Sequence, residues 1–210
     1  MTVLLVIAKQ PRPGRVKTRL TPPFAPEQAA ALAEAALTDT LTAAARVPAE
    51  RHVLVLDGEP GPWLPPGFHV VPQAAGGLDA RLAAAFAACA GPALLIGMDT
   101  PQVTPSLLAP ALRWDAYDAW FGPAADGGFW ALGLARPDPA LLLGVPMSRP
   151  DTGAVQYARL RTAGLRVGRL PVLRDVDTAS DAREVAAAAP ATRFAARYAE
   201  LTGATAGAGR

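Results

Sequence analysis

The chain opens with TVLLVIA (residues 2–8), and KQPRPGRVKTRL (residues 9–20) follows directly. The first stretch is a continuous apolar run rich in β-branched residues, which is typical of a strand buried on both faces of a sheet. A long Ala-rich helix is predicted from Pro26 to Arg46, with Pro26 and Glu27 near its positive end. This strand, loop and helix begin an α/β pattern, and in such folds ligands bind beyond the carboxyl ends of the strands.

The rest of the chain repeats this alternation. Further strands are predicted at 52–56, 69–71, 93–97, 119–122 and 129–134, with an extended segment at 166–173, and further helices at 78–90, 105–112, 152–163, 180–188 and 192–201. Strands that alternate with helices predict a three-layer α/β/α fold with a mostly parallel central sheet. We expect a single domain over residues 1–202 and a disordered tail, GATAGAGR, over residues 203–210.

Composition excludes several classes of protein. The net charge of the 210 residues is only +2, and no basic stripe with interleaved aromatic residues is present, so nucleic acid is not expected as a partner. The N-terminal apolar run is short and has no charged region before it, so we expect no signal peptide, no membrane span and a cytoplasmic location. The single cysteine, Cys89, cannot form an internal disulfide, and its Ala-rich surroundings indicate a buried, inert thiol.

The loop at residues 9–20 is strongly basic. It contains five basic residues and no acidic one, and it holds Lys9 and Lys17, the only lysines of the chain, whereas the other eighteen basic residues are arginines. A lysine ammonium is a compact charge suited to phosphate oxygens, and Gly14 would let a ligand approach the backbone closely. The loop lacks the Gly-Lys-Thr junction of a P-loop, so a different phosphate cradle is predicted. The alternative is an exposed basic loop without a ligand.

Aspartates follow two of the predicted extended segments. Asp99 comes after the strand at 93–97, where a carboxylate could hold Mg²⁺, although aspartate before Thr-Pro is also good turn chemistry. Asp175 and Asp177 are two residues apart, so in an extended backbone their side chains point the same way. Two adjacent negative charges are costly unless a cation neutralises them. The alternative for this pair is a cap on the helix that follows.

Two glycine pairs also lie next to predicted strands. The DGG sequence at residues 126–128 separates two apolar strands, and it would either border an entering substrate or form a plain hairpin turn. The pair at residues 76–77 could let a base or ribose lie against the backbone, with Arg81 one helical turn further on. Ordinary loops often contain such a pair, so this spacing is compatible with both interpretations.

The sequence shows no histidine base. His52 and His69 both lie at strand starts, and no Ser-His-Asp set, zinc motif or dinucleotide fingerprint is present. Basic residues with carboxylates, but without an acid–base pair, suit phosphoryl-centred transfer, in which positioning and charge stabilisation dominate.

Four motifs occur in order along the chain: AKQPRPGRVKTRL (residues 8–20), GMDTP (97–101), DGG (126–128) and DVDT (175–178). Together they resemble the nucleotide-diphospho-sugar transferase superfamily with the GT-A fold, and most closely a bacterial glycosyltransferase-like branch of the DUF2064 type. The resemblance covers nearly the whole chain, from Val3 to about Ala188. Related members include the molybdenum-cofactor guanylyltransferases and the phospholactate or phosphoenolpyruvate guanylyltransferases.

The resemblance implies a role for each motif. The nucleotide is expected to contact Ala8, Lys9, Pro13, Gly14, Lys17 and Arg19 in the first loop, and Gln73, Gly76, Gly77 and Arg81 near the base. Mg²⁺, or Mn²⁺ in its place, is expected on Asp99, Asp175 and Asp177, and the acceptor is expected beside Asp126, Gly127 and Gly128. Lys17, Asp99 and Asp177 are the predicted catalytic residues.

Three functions are compatible with these motifs. The first is nucleotidyl transfer from an NTP to a small phosphorylated or acidic acceptor, which the basic loop favours because a triphosphate carries more charge to neutralise. The second is glycosyl transfer from an NDP-sugar to a small acceptor, which the resemblance favours. The third is a nucleotide-binding module without turnover, although mere binding seldom needs a set of carboxylates that hold a metal. A monomer or a homodimer is expected.

Overall fold

The computed structural model describes the backbone of residues 1–207 and the side chains of residues 1–203. The strands are β1 (Val3–Lys9), β2 (Arg51–Asp57), β3 (Phe68–Pro72), β4 (Ala93–Ile96), β5 (Ala119–Pro123), β6 (Phe129–Leu134) and β7 (Val167–Arg169). The α-helices are α1 (Pro26–Ala45), α2 (Leu78–Ala87), α3 (Pro105–Leu108), α4 (Thr152–Thr162), α5 (Ala179–Ala188) and α6 (Arg193–Gly207), and short 3₁₀ helices lie at Thr18–Leu20, Ala109–Leu112 and Pro139–Leu141. Every predicted strand and helix is present.

The seven strands form one sheet in the order β3-β2-β1-β4-β6-β5-β7. All neighbouring strands are parallel except those beside β6, which runs antiparallel to β4 and to β5. The antiparallel strand arises because a short turn joins β5 to β6, and a tight turn can only return the chain antiparallel. The prediction of a mostly parallel sheet is therefore confirmed.

Helices cover both faces of the sheet, as the continuous apolar runs predict. On one face, Leu4 and Val6 of β1 belong to a core cluster with Leu37 and Leu41 of α1 and with Leu108 of α3. On the other face, alternate β1 residues cluster with buried side chains of α2 and α4; these are Val3, Leu5, Leu82, Phe86 and Leu160. Because successive strand residues point to opposite faces, β1 serves both cores, and the three-layer prediction is confirmed.

The C-terminal helices pack on the N-terminal part of α1. Phe194 of α6, Val185 of α5 and Leu32 of α1 share a third apolar cluster with Leu20 from the end of the basic loop and with Val176. The buried Asp39 carboxylate of α1 accepts a hydrogen bond from the Phe194 backbone N–H at 2.8 Å and thereby fixes the start of α6. This packing holds the basic loop and the segment around Val176 at one end of the molecule.

The last helix is longer than its sequence predicted. It runs to Gly207, past the predicted end at Leu201. Residues 208–210 of the predicted tail lie outside the described residues. Between residues 1 and 207, the structure contains no helix that is both long and apolar enough to span a membrane.

Cys89 lies just after α2, in the apolar surroundings that the sequence indicated. The side chain is half-buried, and its Sγ lies 3.5 Å from the Ala85 carbonyl oxygen. Burial raises the pKa of the Cys89 thiol, which keeps it in the unreactive neutral form. The thiol is thus less buried than the sequence indicated, and its raised pKa agrees with the prediction of an inert thiol.

The topology brings four chain segments to one edge of the sheet. Strands β1, β4, β5 and β7 all run in the same direction, so their carboxyl ends meet there. The segments that follow them are the basic loop, the GMDTP turn, the DGG turn and the DVDT segment. The four sequence motifs therefore converge on a single region.

Candidate active site

A cleft of about 960 Å³ lies at this edge of the sheet. The predicted site residues that line it are Ala8, Lys9, Lys17, Arg19, Gln73, Gly76, Arg81, Asp99, Asp126, Gly128, Asp175 and Asp177. Four predicted residues of the set, Pro13, Gly14, Gly77 and Gly127, do not line this cleft. Its volume is ample for a nucleotide-sized ligand, since small-molecule sites commonly measure several hundred Å³.

Lys17 and Asp99 form an ion pair in the floor of the cleft. The Lys17 Nζ lies 2.7 Å from the Asp99 Oδ2, and only 9% of the Lys17 side chain is exposed. Lys17 has a left-handed backbone with φ of 49°, which is rare for a residue with a side chain. A fully exposed loop was one alternative from the sequence, but the Lys17 side chain turns inward, because Asp99 offers it a carboxylate partner there.

The backbone joins the two acidic segments directly. The Val176 N–H donates to the Asp99 carbonyl oxygen at 2.9 Å. Val176 is 1% exposed and packs in the apolar cluster with Leu20, whereas its two neighbours, Asp175 and Asp177, line the cleft. The alternation predicted for an extended segment therefore places both carboxylates on the ligand side.

Asp175 lies in a strongly negative environment. Burial and the neighbouring carboxylates of Asp99, Asp126 and Asp177 raise the pKa of Asp175 to about 7, against the opposing charge of Lys17. One carboxylate oxygen of Asp175 and one of Asp99 are buried and have no hydrogen-bond partner within the described side chains. Buried carboxylate oxygens are costly to leave unpaired, so this point of the cleft would gain most from a bound cation.

The arrangement of carboxylates sets limits on a metal site. Among the residues that the structure describes, no three His, Cys, Asp or Glu side chains form a cluster with metal-binding geometry. Asp177 instead pairs with Arg19, whose Nη1 lies 2.7 Å from the Asp177 Oδ2. The unpaired oxygens of Asp99 and Asp175 fit a divalent ion nonetheless, because Mg²⁺ is usually held by one or two carboxylates together with substrate phosphates.

The basic loop offers two cations without a protein partner. Lys9 and Arg15 line the cleft, and neither side chain forms an ion pair within residues 1–203. Gly14, by contrast, has a left-handed backbone with φ of 72° and lies at the exposed tip of the loop, away from the cleft. Gly14 therefore serves the turn itself, and it is not one of the residues that line the cleft.

Gln73 and Arg81 hold the glycine loop in place. The Gln73 amide nitrogen donates to the Ala8 carbonyl at 2.7 Å and to the Val55 carbonyl at 3.2 Å. The Arg81 guanidinium in turn donates to the Gln73 side-chain oxygen at 3.0 Å and to the Gly76 carbonyl at 3.0 Å. Since these groups and the Gly76 carbonyl are already used, both side chains position the loop around Gly76, and the backbone N–H groups of the loop are what remains to face a ligand.

The DGG motif is a hairpin turn that also borders the cleft. Asp126 accepts a hydrogen bond from the Gly128 N–H at 2.8 Å, and Gly127 has φ of 90°. A side-chain carbon on Gly127 would overlap the Pro150 carbonyl, and one on Gly153 would overlap the Gly128 carbonyl. The two alternatives from the sequence are therefore compatible, because the turn packs closely against the start of α4 while Asp126 and Gly128 line the cleft.

Several residues that line the cleft were absent from the predicted set. They include Arg15, Phe129, Met147, Ser148, Arg149, Arg174 and Asp181. Asp181 caps α5 by accepting from the Thr178 N–H at 2.8 Å and pairs with Arg174 at 3.0 Å. The cap alternative for the DVDT segment is thus satisfied by Asp181 and Thr178, which leaves Asp175 free to face the cleft.

The sequence matches a known family model. The family is described as "Uncharacterized protein conserved in bacteria (DUF2064)", and its model matches residues 28–149, more than half of the chain. None of the curated proteins matches the chain.

The fold is similar to several solved structures. One is a protein of Desulfovibrio desulfuricans G20, provisionally assigned as a nucleotide-diphospho-sugar transferase, with 28% identity, a TM-score of 0.85, and coverage of 98% of this chain and 95% of that one. Another is Rv0371c of Mycobacterium tuberculosis H37Rv in complex with manganese, with 22% identity, a TM-score of 0.53 and coverage of 88% and 96%. A third is 2-C-methyl-D-erythritol 4-phosphate cytidylyltransferase of Thermus thermophilus, with 18% identity, a TM-score of 0.55 and coverage of 90% and 100%. The last two show likeness of fold alone.

Proposed function

The chain belongs to the DUF2064 family, and we propose that it is a divalent-metal-dependent nucleotidyltransferase. In this reaction an oxygen of a small phosphorylated or acidic acceptor bonds to the α-phosphorus of an NTP. The bond from that phosphorus to the bridging oxygen breaks, and pyrophosphate leaves with the electron pair. The observation that carries the proposal is the pair of buried, unpaired carboxylate oxygens on Asp99 and Asp175 beside the Lys17 ammonium.

The charges of the cleft are divided in a way that suits a metal–triphosphate complex. Lys9 and Arg15 line the cleft without protein partners, so they are available to phosphate oxygens. Lys17 is oriented by Asp99 and would stabilise negative charge that develops as the α-phosphorus is attacked. Mg²⁺ or Mn²⁺ on Asp99 and Asp175 would neutralise phosphate charge and assist the leaving pyrophosphate. The fold of a relative solved with manganese supports a divalent ion.

The base would lie beside the loop at Gly76. This loop is braced by Arg81 and Gln73, and Gly76 has φ of 105° and lines the cleft. A braced loop of this kind can recognise a base through its backbone N–H groups. The acceptor would enter on the opposite side, past the DGG turn at residues 126–128.

Glycosyl transfer from an NDP-sugar is the second candidate. It is favoured by the 28% identity, over 98% of this chain, to a protein provisionally assigned as a nucleotide-diphospho-sugar transferase. The same cleft would then hold the diphosphate of the donor, and the sugar would lie toward the DGG turn. The two candidates differ in their products, since only nucleotidyl transfer releases pyrophosphate.

The experiment is a product assay on purified protein with Mg²⁺. Each of the four NTPs is incubated with a panel of small phosphate monoesters and carboxylic acids, and pyrophosphate is measured. UDP-glucose, GDP-mannose and UDP-GlcNAc are incubated with the same panel, and the free nucleoside diphosphate is measured. Pyrophosphate release that depends on one NTP, and that the Asp99→Asn variant lacks, supports nucleotidyl transfer. Release of a nucleoside diphosphate without pyrophosphate would contradict nucleotidyl transfer and support glycosyl transfer instead.

A further inference from the structure

We infer that Arg149 forms a subsite for an anionic group of the acceptor, a phosphate monoester or a carboxylate. The inference rests on the proposed function and adds a binding residue to it. Arg149 lines the cleft together with Asp126, Gly128 and Phe129. It is thus placed beside the DGG turn, whereas Lys9 and Arg15 line the cleft from the basic loop at the end of β1.

The backbone around Arg149 is held firmly. The Arg149 N–H donates to the Thr152 hydroxyl at 3.1 Å, and that hydroxyl donates to the Pro146 carbonyl at 2.8 Å. Ser148 has a left-handed backbone with φ of 59°, an uncommon conformation for a residue with a side chain. Outliers of this kind persist where the surroundings over-determine them and often occur at ligand sites.

The segment is also fixed relative to the DGG turn. The Gly153 N–H donates to the Gly127 carbonyl at 2.8 Å. Neither glycine has room for a side-chain carbon, because the backbones are in direct contact. Any residue carried by this segment therefore keeps a constant position beside the turn, which is what a residue that selects an acceptor requires.

Asp151 orients the guanidinium of Arg149 but does not occupy all of its N–H donors. Its Nε and Nη2 donate to the two carboxylate oxygens of Asp151 at 2.9 and 3.0 Å. A guanidinium has five N–H donors, so three remain, and within the described side chains they have no other partner. The pair is exposed, at 59% for Arg149 and 48% for Asp151. Since an exposed pair contributes little to stability, an anion in the cleft can share the guanidinium at small cost.

Two arginines that line the cleft lie close to the DGG turn, Arg149 and Arg174, but Arg174 already pairs with Asp181 and Glu184, each at 3.0 Å. The other lining residues there are Asp126, Gly128, Phe129, Trp130, Met147, Ser148, Pro150 and Thr152. An anionic acceptor group placed near Asp126 would be repelled unless a cation held it, and Arg149 is the residue in place to do so. The planar fork of arginine matches both phosphate and carboxylate oxygens, so the shared chemistry is a small oxyanion.

The test measures binding of two probes, glycerol 3-phosphate and lactate, by NMR titration of protein labelled with ¹⁵N-arginine. Each titration is done on the free protein and on protein saturated with Mg²⁺ and whichever NTP analogue binds. We expect one probe to bind the wild type and Arg149→Ala to weaken its binding by about tenfold or more, the loss typical of one charge-assisted contact. The preferred probe distinguishes a phosphorylated acceptor from a carboxylic one.

Two further variants separate this role from a general effect of charge. Arg46→Ala removes one positive charge from an exposed position away from the cleft, and it should bind the probe like the wild type. Arg149→Lys keeps the charge but loses the forked guanidinium, so its affinity for the probe should lie between those of the wild type and Arg149→Ala. Nucleotide affinity of Arg149→Ala should stay within about twofold of wild type, because Arg149 belongs to the segment beside the DGG turn and not to the basic loop.

Either of two results would overturn the inference: binding of both probes by Arg149→Ala as tightly as by the wild type, or no binding of either probe by the wild type. The proposed function is judged separately in the same samples. If no nucleotide binds the wild type with Mg²⁺, the proposed function fails, while the nucleotide-free titration still decides the role of Arg149.

Discussion

The ammonium of Lys17 lies 2.7 Å from the Oδ2 of Asp99, while the Oδ1 of the same aspartate is buried without a partner. Lys17 thus pairs with one oxygen of Asp99, while the negative charge of Asp99 also helps to raise the pKa of Asp175. The excess of negative charge at this point is what a divalent cation would relieve. Lys17, Asp99 and Asp175 therefore form one electrostatic unit, and a change to any of them should alter the other two.

The first prediction concerns Lys17. Lys17→Met keeps most of the buried volume but removes the ammonium, so nucleotide affinity should fall by about tenfold or more, as expected for a lost charge-assisted contact. Stability should also fall by about 1–3 kcal/mol, because Asp99 is left without its partner. Arg12→Ala is the matched control, since Arg12 is a cation of the same loop that is exposed and does not line the cleft. Calorimetric titration and thermal unfolding measure both effects, and equal nucleotide affinity for Lys17→Met and Arg12→Ala would remove Lys17 from the phosphate site.

The second prediction concerns the pH dependence of stability. The pKa of Asp175 is raised to about 7 by burial and by Asp99, Asp126 and Asp177, with Lys17 opposing, whereas in the unfolded chain it is near 4. The folded protein therefore holds the proton more tightly than the unfolded chain does, and stability falls as the pH rises from about 4 to about 7. Asp175→Asn removes this loss, so the variant should be more stable than the wild type above pH 7, by up to about 4 kcal/mol at about 1.4 kcal/mol per pKa unit.

Denaturant unfolding at several pH values, in EDTA, measures this difference in the free energy of unfolding. We expect the difference between Asp175→Asn and the wild type to grow between pH 4 and pH 7 and then to level off. In the same measurement, added Mg²⁺ should raise the free energy of unfolding of the wild type more than that of the variant. A difference that stays constant across the pH range would mean that Asp175 is not the group responsible.

The third prediction concerns Asp99. Asp99→Asn leaves a group of the same size but removes the negative charge that pairs with Lys17 and that would hold the metal. Metal-dependent turnover should fall by about 100-fold or more, the size of loss seen when a key electrostatic group is removed from an active site. Asp118→Asn is the control, because Asp118 pairs with Arg166 away from the cleft. Wild-type turnover in Asp99→Asn would exclude Asp99 from the site.

The fourth prediction concerns the contact between the DGG turn and α4. Gly127→Ala should destabilise the fold by more than about 2 kcal/mol, because the residue has φ of 90° and a side-chain carbon would overlap the Pro150 carbonyl. Gly144→Ala is the control, with a similar φ of 75° but open space around it, and it should lose only about 1 kcal/mol. Thermal unfolding measures both variants. An equal loss of stability in the two variants would mean that the close contact between Gly127 and Pro150 does not contribute to the stability of the fold.

The sequence alone predicts much of this site because local rules place its main residues. A buried parallel strand must be apolar along its length, so Lys9 stands out as the charged residue that ends β1, and Asp99 as the first charged residue after β4. The period of two in an extended segment predicts that Asp175 and Asp177 point one way and Val176 the other, and Val176 is indeed buried. These inferences need only strand periodicity and the rule that ligands bind at the carboxyl edge.

Other features depend on contacts between distant segments and leave no local signal. Gln73 appears in the sequence as a polar residue near a glycine pair, and only the approach of Ala8 and Arg81 shows that its amide is fully used. Arg149 reaches the cleft because Gly153 packs on the DGG turn, which lies well before it in the chain. The pairing of Arg19 with Asp177, 158 residues apart, is likewise set by the packing of α5 and α6 on α1.

The most direct test of the central claim is a thermal-shift panel of the four NTPs and the three nucleotide sugars, each with and without Mg²⁺, on the wild type and on Asp99→Asn. A ligand that binds only the folded state raises its melting temperature by mass action. We predict a shift with one NTP that requires Mg²⁺ and that disappears in Asp99→Asn. A shift confined to a nucleotide sugar, or an equal shift in the presence and absence of Mg²⁺ and in both proteins, would contradict the proposed metal-dependent nucleotidyl transfer.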